Sequence, residues 1–419
     1  MALCAARLFL SLTGLFLIKF LPAQMTLLVP DRVFDGERMH EGWKVLVRED
    51  KILEAGPVID WHPGRMDTVN LPGITLLPGL IEGHAHILLH PYNETSWNDQ
   101  VLRESLAERV LRASNHLFAS LSKGFTTLRD LGTEGADYAD VGIKQALGKQ
   151  VISGPDLLVA GRAIVASGSY GPKGFVFKPP QGAEEADAFD LVRVVRNQIG
   201  QGADLIKIYA DYRWGPFGQA MPSFSQEEIR TIVETAKSSG RVVVAHATTK
   251  EGMRRAVLGG VSTIEHGDEG DLEIFRLMKE HRVSYCPTLA AGEAILQYAG
   301  WKKDTDPLPD KILKKRQSFR EALSAGVHIL FGGDVGVFPH GDNARELILM
   351  GEYGMDPEAV LRSATSGNAD ALGLKNRGRI QHGLLADLVG IRGNPIENLQ
   401  DIYHVDFVLK NGKRVVKSH

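Results

Sequence analysis

The stretch LLPGLIEGHAH, Leu76–His86, decides the fold prediction, since it is an apolar run that ends in two histidines one residue apart. Side chains alternate between the two faces of a strand, so His84 and His86 should point the same way and reach one metal ion. Imidazole is a common metal ligand, but a lone pair of this kind is more often an ordinary pair of histidines. The prediction therefore depends on the residues that accompany the pair.

Downstream of Pro78, short apolar strands alternate with amphipathic helical stretches, the pattern of βαβ units in a parallel sheet. Eight strands are predicted, at Leu76–His86, Thr126–Leu131, Leu157–Gly161, Leu205–Tyr209, Val242–His246, Thr263–His266, Val283–Pro287 and Ile329–Asp334. Helices are predicted between them at Glu104–Ser122, Ala186–Ile199, Gln226–Ser238, Leu272–His281 and Lys311–Ser324. Eight such units over about 250 residues predict an α/β fold, a (β/α)8 TIM barrel over residues 76–378.

Strand-like segments with turn residues between them flank the barrel on both sides. They are Thr26–Val33, Trp43–Arg48, Lys51–Ala55 and Thr68–Leu71 before it, and Gly383–Val389 and Val405–Lys413 after it. The last of these contains an Asn-Gly hairpin signal. Because chain termini often lie close together, residues 25–75 and 379–419 are predicted to form one small β-sandwich domain.

Residues 1–24 differ in character from the rest of the chain. Arg7 precedes an apolar run, Leu8–Ile18, that is too short to span a bilayer and is typical of a secretory signal peptide. This pattern predicts an exported protein, periplasmic or secreted, without stable membrane association once the signal is removed. Translation from Met25 is the alternative and would give a cytoplasmic protein. Signal removal would leave Cys286 as the single cysteine, so no intramolecular disulfide is expected.

Composition excludes some classes of partner. The 419 residues are 43% hydrophobic and 24% charged, as in ordinary soluble globular proteins. The formal net charge is −3 and Lys and Arg are spread along the chain, so no basic stripe is available for nucleic acid. A small-molecule substrate and a homo-oligomer are expected instead.

Polar residues stand at the ends of five predicted strands. His84 and His86 end the first, Lys207 the fourth, His246 the fifth, His266 the sixth and Asp334 the eighth. Each has an ordinary alternative, such as a hydrogen-bonded histidine or a helix-capping aspartate. The carboxyl ends of barrel strands meet at one face, so these side chains should converge. Together they predict a metal site.

Lys207 lies between two isoleucines of a predicted buried strand. Burial of an ammonium is costly and lowers its pKa towards the neutral amine. A neutral amine can react with carbon dioxide, and the resulting carbamate could bridge two divalent cations. The alternative is a structural lysine paired with an acid such as Asp130 or Asp204.

This set of residues resembles the amidohydrolase superfamily with a binuclear metal site, and the resemblance covers nearly the whole chain. Within the superfamily, residues 77–86 and 332–334 resemble Xaa-Pro dipeptidases, imidazolonepropionase-like proteins and metal-dependent carboxypeptidases. Residues 90–97 and 161–171 are similar to bacterial amidohydrolases that cleave the amide of ochratoxin A. Ser169-Tyr170-Gly171 replaces a His-Gly of many prolidase-like relatives, which argues against strict Xaa-Pro specificity.

The resemblance implies a ligand set and a mechanism. His84, His86 and Asp334 would hold one divalent ion, His246 and His266 the other, with carboxylated Lys207 and a hydroxide between them. The ligand types favour zinc. Asp334 would act as general base and then as general acid. Glu265 and the pair Arg129-Asp130 would support the ligands, unless they form salt bridges at the barrel ends.

The predicted function is metal-dependent hydrolysis of an amide that releases a C-terminal amino acid. N-acyl amino acids, dipeptides and ochratoxin A-like amides are the expected substrates. Their carboxylate and apolar groups would meet residues of the βα loops, namely Trp97, Arg162, Tyr170, Tyr209, Tyr212, Arg213, Trp214 and His340. Exposed Arg and Tyr side chains are usually only solvated, and the tryptophans could instead anchor loops.

Three other functions compete with this one. The first is a cyclic-amide hydrolase or lactonase, imidazolonepropionase-like, on the same scaffold. A deaminase is disfavoured by Lys207, since deaminase relatives typically use a single metal without it. A non-catalytic binding protein would generally have lost some of the six ligand positions, which are all filled here.

Overall fold

The computed structural model describes residues 25–60 and 66–415, and the predicted signal segment lies outside the described residues. The chain begins with five strands, which are β1 (Met25–Phe34), β2 (Met39–Glu41), β3 (Lys44–Arg48), β4 (Lys51–Gly56) and β5 (Met66–Pro78). The bounds of β1, β3 and β4 agree with predicted strands within a few residues, whereas β2 was not predicted. The fifth extends well beyond the predicted Thr68–Leu71.

The middle of the chain alternates between strands and helices. Its strands are β6 (Leu80–Ala85), β7 (Phe125–Asp130), β8 (Asp156–Val159), β9 (Ile164–Val165), β10 (Glu184–Glu185), β11 (Ile206–Tyr209), β12 (Asp211–Arg213), β13 (Ala220–Pro222), β14 (Val243–Ala247), β15 (Thr263–His266) and β16 (Ser284–Cys286). Its helices are α1 (Trp97–Arg103), α2 (Leu106–Ser122), α3 (Ala139–Gly148), α4 (Leu191–Gln201), α5 (Gln226–Lys237), α6 (Lys250–Gly259), α7 (Leu272–Glu280), α8 (Leu289–Tyr298), α9 (Asp310–Ala325), α10 (Ala344–Glu352), α11 (Pro357–Arg362) and α12 (Asn368–Ala371).

The chain ends with three strands, β17 (Leu388–Arg392), β18 (Val405–Lys410) and β19 (Lys413–Arg414). They join the first five strands in one eight-stranded sheet, in which β5 pairs with β1 on one side and with β17 on the other. Asn411 and Gly412 both have positive φ between β18 and β19, as the predicted hairpin turn requires. The two terminal segments therefore share a sheet, while the two-layer sandwich and the domain boundaries stay predictions.

The parallel strands of the middle region form a TIM-barrel-like α/β arrangement. Strands β6, β7 and β8 form one parallel sheet, and β10, β9, β11, β14, β15 and β16, in that order, form a second. Asp204 N donates to Val159 O at 2.8 Å, and this hydrogen bond joins the two sheets beside β8. Parallel bridges at Ile329 and Val335 connect the segment after β16 to both β16 and β6.

Three predicted strands differ from the structure, and the predicted Gly383–Val389 overlaps β17 only at Leu388 and Val389. The predicted strand Leu76–His86 is divided, because Leu76–Pro78 belong to β5 and only Leu80–Ala85 form β6. The predicted eighth strand, Ile329–Asp334, has bridges and single hydrogen bonds such as Gly83 N to Phe331 O at 3.1 Å, without a regular ladder. The backbones approach so closely here that a Cβ on Gly83 would lie 2.5 Å from Phe331 O.

Serine, threonine and aspartate caps begin several helices of the barrel. Ser105, Ser225, Thr249 and Asp271 each accept a hydrogen bond from a backbone N–H of the first turn. These helices pack apolar faces onto the strands and place the carboxyl ends of the strands, with their polar side chains, at one face. Among the helices of the described residues, none has the length and apolar character needed to cross a membrane.

Candidate active site

Five side chains meet at the carboxyl ends of β6, β14 and β15 and of the segment before Val335. Asp334 Oδ1 lies 3.6 Å from His84 Nε2 and 3.3 Å from His86 Nε2. The ring centroid of His266 lies 5.2 Å from that of His84 and 4.4 Å from that of His246. The structure therefore brings together the four predicted histidines and the predicted aspartate.

Unpaired atoms in this cluster fit a divalent cation. His84 Nε2 and Asp334 Oδ1 are buried and have no hydrogen-bond partner among the described residues. Ligand atoms of His84, His266 and Asp334 all lie within 4.8 Å of one another. A buried polar atom without a partner is costly, so two that face each other indicate a ligand shared between them. Nitrogen and oxygen donors of this kind suit zinc and similar ions.

Burial favours the neutral form of the imidazoles, which is the form that binds metal. Desolvation, with the Lys207 charge as a second cause, lowers the pKa of His246 to about 3. The same two causes hold the pKa of His84 well below its usual value. Desolvation raises the pKa of Asp334 to about 6. A cation in the cluster would favour the ionised carboxylate again.

Lys207 lies on β11 with 1% of its surface exposed. Its amine forms no hydrogen bond or ion pair with another described residue, and it lies 5.5 Å from the centroid of the Tyr209 ring. Desolvation by burial lowers its pKa. Asp204 pairs instead with Lys144 at 2.6 Å, and Asp130 accepts from Ile87 N. The structural alternative, a lysine held by one of these two acids, therefore has no support in the contacts.

Hydrogen bonds at the Nδ1 atoms orient three of the histidines. His84 Nδ1 lies 2.9 Å from Glu265 Oε2, His86 Nδ1 lies 2.8 Å from Gly132 O, and His266 Nδ1 lies 2.7 Å from Thr288 Oγ1. A partner on Nδ1 leaves Nε2 to face the cluster and fixes the ring. Arg129 Nη2 donates in turn to Glu265 Oε1 at 3.0 Å, whereas Asp130 accepts from Ile87 N.

Several site residues have left-handed backbone conformations, which are uncommon for residues other than glycine. The φ angles are 75° at His266, 64° at Asp334, 50° at Thr288 and 49° at Glu134. Such conformations persist where the surrounding structure holds them and concentrate at functional sites.

The cluster opens into a cavity of about 550 Å³. Nine of the predicted site residues line it: His86, Trp97, Tyr170, Tyr209, Tyr212, Arg213, His246, His266 and Asp334. Helix α8 and the start of α9 add a more aliphatic wall, made of Leu289, Ala291, Ile295 and Ile312. A metal cluster at the base of a cavity with polar and apolar walls is the arrangement of an enzyme that binds a small molecule.

Comparison with known proteins agrees with this arrangement. The sequence profile of the amidohydrolase family matches residues 75–415. The chain belongs to the amidohydrolase family. An ochratoxinase of Aspergillus niger is 29% identical over 433 aligned positions, covering 92% of this chain and 85% of that protein. The superfamily membership predicted from the motifs is confirmed.

Solved structures give the same result. An Xaa-Pro dipeptidase with methionine bound in its active site is 30% identical, with a TM-score of 0.82 over 93% of this chain and 99% of that chain. A prolidase complexed with N-methylphosphonate-L-proline is 29% identical, with a TM-score of 0.81 over 94% of this chain and 100% of that one. The amidohydrolase described here is therefore a hydrolytic enzyme that acts on amide bonds, of a family that generally uses divalent metals.

Two predicted substrate residues of this amidohydrolase do not line the cavity. Arg162 Nη2 donates to Ala183 O at 3.3 Å, and its Nη1 lies 4.0 Å from Glu184. The His340 ring stacks on His116 at 4.4 Å, with Nε2 3.2 Å from Leu89 O. Trp214, an aromatic-wall candidate, is likewise held by the carbonyls of Met221 and Pro222, as a loop anchor would be.

Other cavity residues were missed from the sequence. Tyr92 and Glu134 line the cavity on the side of Trp97, and Lys311 lines it on the side of Ile312. Glu134 stands between Gly132 and Gly135 in the loop after β7, a glycine-rich position where a polar residue at a strand end could have been considered. No sequence signal separates this glutamate from the many that are merely solvated.

Proposed function

We propose that this amidohydrolase cleaves an amide bond and releases a C-terminal amino acid, with N-acyl amino acids, dipeptides and ochratoxin A-like amides as its substrate class. The observation that carries the proposal is the pair of unpartnered buried atoms, His84 Nε2 and Asp334 Oδ1, beside the unpaired amine of Lys207. The two facing atoms are unfavourable unless a cation is bound between them, and the Lys207 amine would suit that cation only as its anionic carbamate.

Two divalent ions, zinc by the ligand types, are proposed for the cluster. His84, His86 and Asp334 would hold one ion and His246 and His266 the other, with carboxylated Lys207 between them. When bound, such ions lower the pKa of water and polarise a carbonyl group. The lowered pKa of Lys207 supports carboxylation, because only the neutral amine reacts with carbon dioxide.

Asp334 is proposed to move the proton. Its carboxylate lies at the floor of the cavity, in reach of both His84 and His86, where attack on the amide carbonyl would occur. It accepts the proton of the attacking water and returns it to the departing amine, which must leave protonated. Burial of the cluster excludes bulk water that would compete for this proton.

Arg213 is proposed to receive the carboxylate of the released amino acid. Its side chain lines the cavity and its guanidinium makes no hydrogen bond or ion pair with another residue that the structure describes. The relative with methionine in its active site and the prolidase with a proline derivative support an amino-acid product. The relative named ochratoxinase supports an amide with a large aromatic group.

The experiment compares N-acyl-phenylalanine with its C-terminal amide, which keeps the same scissile bond and lacks the negative charge. We expect kcat/KM to be lower for the amide by about 0.2–1 kcal/mol of transition-state binding, the range of an exposed ion pair, because Arg213 is exposed and loses its charge partner. Arg213→Gln should remove most of that difference. Arg162→Gln is the matched control, because Arg162 does not line the cavity, and should leave the difference unchanged.

Equal kcat/KM values for the acid and the amide would exclude a carboxylate subsite. Hydrolysis of cyclic amides or lactones by the metal-loaded enzyme would then be the function to test. A protein that turns over none of these substrates would contradict amide hydrolysis by this site altogether.

The domain boundaries, the export and the oligomeric state of the protein are also proposals. Residues 76–378 would form a closed (β/α)8 barrel and residues 25–75 with 379–419 a β-sandwich, supported by the ladder and bridge pattern. Export with cleavage near residue 24, and assembly into a homo-oligomer, complete the proposal. N-terminal sequencing of the mature protein tests the cleavage, and light scattering tests the oligomeric state.

A further inference from the structure

One end of the cavity consists of five aromatic side chains around a single carboxylate, that of Glu134. We call it the aromatic end and define it by the rings of Tyr92, Trp97, Tyr170, Tyr209 and Tyr212, which line the cavity together with Glu134. Tyr170 packs against Trp97, Tyr209 and Tyr212 with centroid distances of 5.2, 4.7 and 4.7 Å. Glu134 is 2% exposed and belongs to the loop after β7. The aromatic end therefore has an anion at its centre.

Three aromatic side chains direct their polar hydrogens at Glu134. Its Oε2 accepts from Trp97 Nε1 at 2.9 Å and from the Tyr170 hydroxyl at 2.5 Å. Its Oε1 accepts only from the Tyr209 hydroxyl, at 3.3 Å. The Tyr170 hydroxyl donates its one hydrogen to Oε2 and the Tyr209 hydroxyl lies within donating distance of Oε1, so both tyrosine oxygens have lone pairs available. These groups can accept further hydrogen bonds but cannot donate to a ligand.

No cation forms an ion pair or hydrogen bond with the Glu134 carboxylate within the part of the chain that the structure describes, and the charges of Arg109 and Lys207 act on it only from a distance. The nearby guanidinium of Arg109 donates to three backbone carbonyls, Leu88 O at 3.1 Å, Thr133 O at 2.9 Å and Glu134 O at 2.8 Å, rather than to the carboxylate. A buried charge held only by neutral donors is unfavourable and attracts an opposite charge. Aromatic faces around it add to that attraction for a cation.

We propose that the aromatic end is a subsite for a cationic amino group of the substrate, with Glu134 as the specificity-determining carboxylate. The positive charge of an ammonium complements the Glu134 carboxylate and the aromatic faces around it, and the N–H donors of a primary ammonium add hydrogen bonds to Oε1 and to the two tyrosine oxygens. A carboxylate offers the opposite complement and is repelled here, so it is directed to Arg213. As a statement about substrates, the inference rests on the proposed amide hydrolysis.

Two kinds of substrate could present an ammonium group to this subsite. One is a dipeptide with its free α-ammonium, and the other is a substrate with the basic side chain of lysine. Both present the same ammonium chemistry to Glu134. They differ in the side of the scissile amide on which the ammonium lies, so paired substrates separate them.

The binding experiment uses choline and its uncharged isostere 3,3-dimethylbutan-1-ol as probes of the metal-loaded protein, by calorimetry. Neither probe needs turnover, and a quaternary ammonium cannot ligate a metal. We expect the wild-type protein to bind choline at least about tenfold more tightly, in the range of a desolvated cation–π site. Glu134→Gln should abolish the preference. Glu94→Gln, an exposed glutamate in the loop before Trp97, is the control and should keep it.

Equal affinity of the wild-type protein for the two probes overturns the proposal, whatever the variant does. A preference that persists in Glu134→Gln also overturns it, since the cavity contains other acids, Asp268 and Glu269. If Glu134→Gln lowers metal affinity while the choline preference stays, the carboxylate serves the metal cluster and the proposal is likewise wrong.

The kinetic experiment uses two substrate pairs, each differing by one amino group. Leucyl-phenylalanine against 4-methylpentanoyl-phenylalanine tests the α-ammonium, and N-acetyl-lysine against N-acetyl-norleucine tests the side chain. One charged member should exceed its neutral partner in kcat/KM by about tenfold or more, mostly through KM, as expected for binding that is equal in ground and transition states. Glu134→Gln should collapse that ratio.

The outcomes separate the two proposals. Ratios unchanged in Glu134→Gln, or a uniform loss on all four substrates, would assign Glu134 to positioning the rings and overturn the cation subsite. Hydrolysis of none of the four by the wild-type enzyme would instead contradict the proposed amide hydrolysis. The probe measurement then still decides whether the subsite binds a cation.

Discussion

His84 Nδ1 and Glu265 Oε2 lie 2.9 Å apart, which couples the end of the first barrel strand to the end of β15. Both side chains are buried, and Arg129 holds the second oxygen of the glutamate at 3.0 Å. The contact fixes the ring so that Nε2 faces Asp334. Glu265 therefore acts on metal binding through His84.

We expect Glu265→Gln to weaken metal binding by about 10–100-fold, because a carboxylate partner raises the basicity of a histidine ligand and orients it. The measurement is competition with a chromogenic chelator. Glu251→Gln, an exposed acid on α6, is the control and should keep the wild-type affinity. Wild-type affinity in Glu265→Gln would show that the contact does not serve a metal.

The Lys207 amine should determine how many ions the site holds. Protein loaded with zinc and bicarbonate should contain about two ions per chain, and Lys207→Ala about one, since the bridging ligand is lost. Elemental analysis gives the counts, and labelled bicarbonate gives a carbamate signal by carbon NMR. Lys144→Ala, in which the lost amine paired with Asp204, is the control. A wild-type maximum near one ion contradicts the bridging lysine.

Asp334→Asn should lower kcat by at least about a hundredfold, the usual size of a lost general base, with KM little changed. The substitution keeps the shape of the side chain but removes the proton acceptor. Because Asp334 also reaches His84 and His86, metal content is measured in the same samples, and kcat is compared at equal occupancy. Near-normal turnover at full occupancy would exclude Asp334 as the base.

Gly124 should be sensitive to a single added carbon. It has a φ of 89°, and a Cβ there would lie 2.6 Å from Val389 Cγ2 on β17. We expect Gly124→Ala to lower stability by about 2–4 kcal/mol, through left-handed strain and overpacking. The readout is the midpoint of urea unfolding.

Gly142→Ala is the control for Gly124→Ala, and the expected change in stability has the opposite sign. Gly142 is exposed inside α3, and nothing lies within 4 Å of an added Cβ. Gly142→Ala should raise the free energy of unfolding by about 0.4–1 kcal/mol, since alanine loses less backbone entropy in a helix. Equal effects of the two substitutions would mean that Gly124 has no packing role between the terminal sheet and the barrel.

The convergence of the histidines could be predicted from the sequence, because strand ends are marked by apolar runs and a barrel brings such ends to one face. The ends of β14 and β15 place His246 and His266 where the spacing predicts them. The eighth strand was less predictable. Its regular pairing is interrupted where Gly332 brings the backbone close to β6, which depends on contacts with a strand some 250 residues away.

Substrate-side residues could not be predicted in the same way. Arg162, His340 and Glu134 all follow strand ends, yet the first two are held outside the cavity by Ala183 and His116 and only the third lines it. Whether a loop side chain faces a cavity depends on which partner it meets in three dimensions. Sequence periodicity carries no information about such partners.

During synthesis, one edge of strand β5 stays unpaired until the C-terminal strands have been made. The strand pairs with β1 at once, but its other edge pairs with β17, where Leu388 lies opposite Pro78, 310 residues later (388 minus 78). Domains form during synthesis as the chain leaves the ribosome, and an open strand edge can pair with another nascent chain. Chains that terminate early, or lose their last thirty or so residues to a protease, keep that edge open and are expected to aggregate.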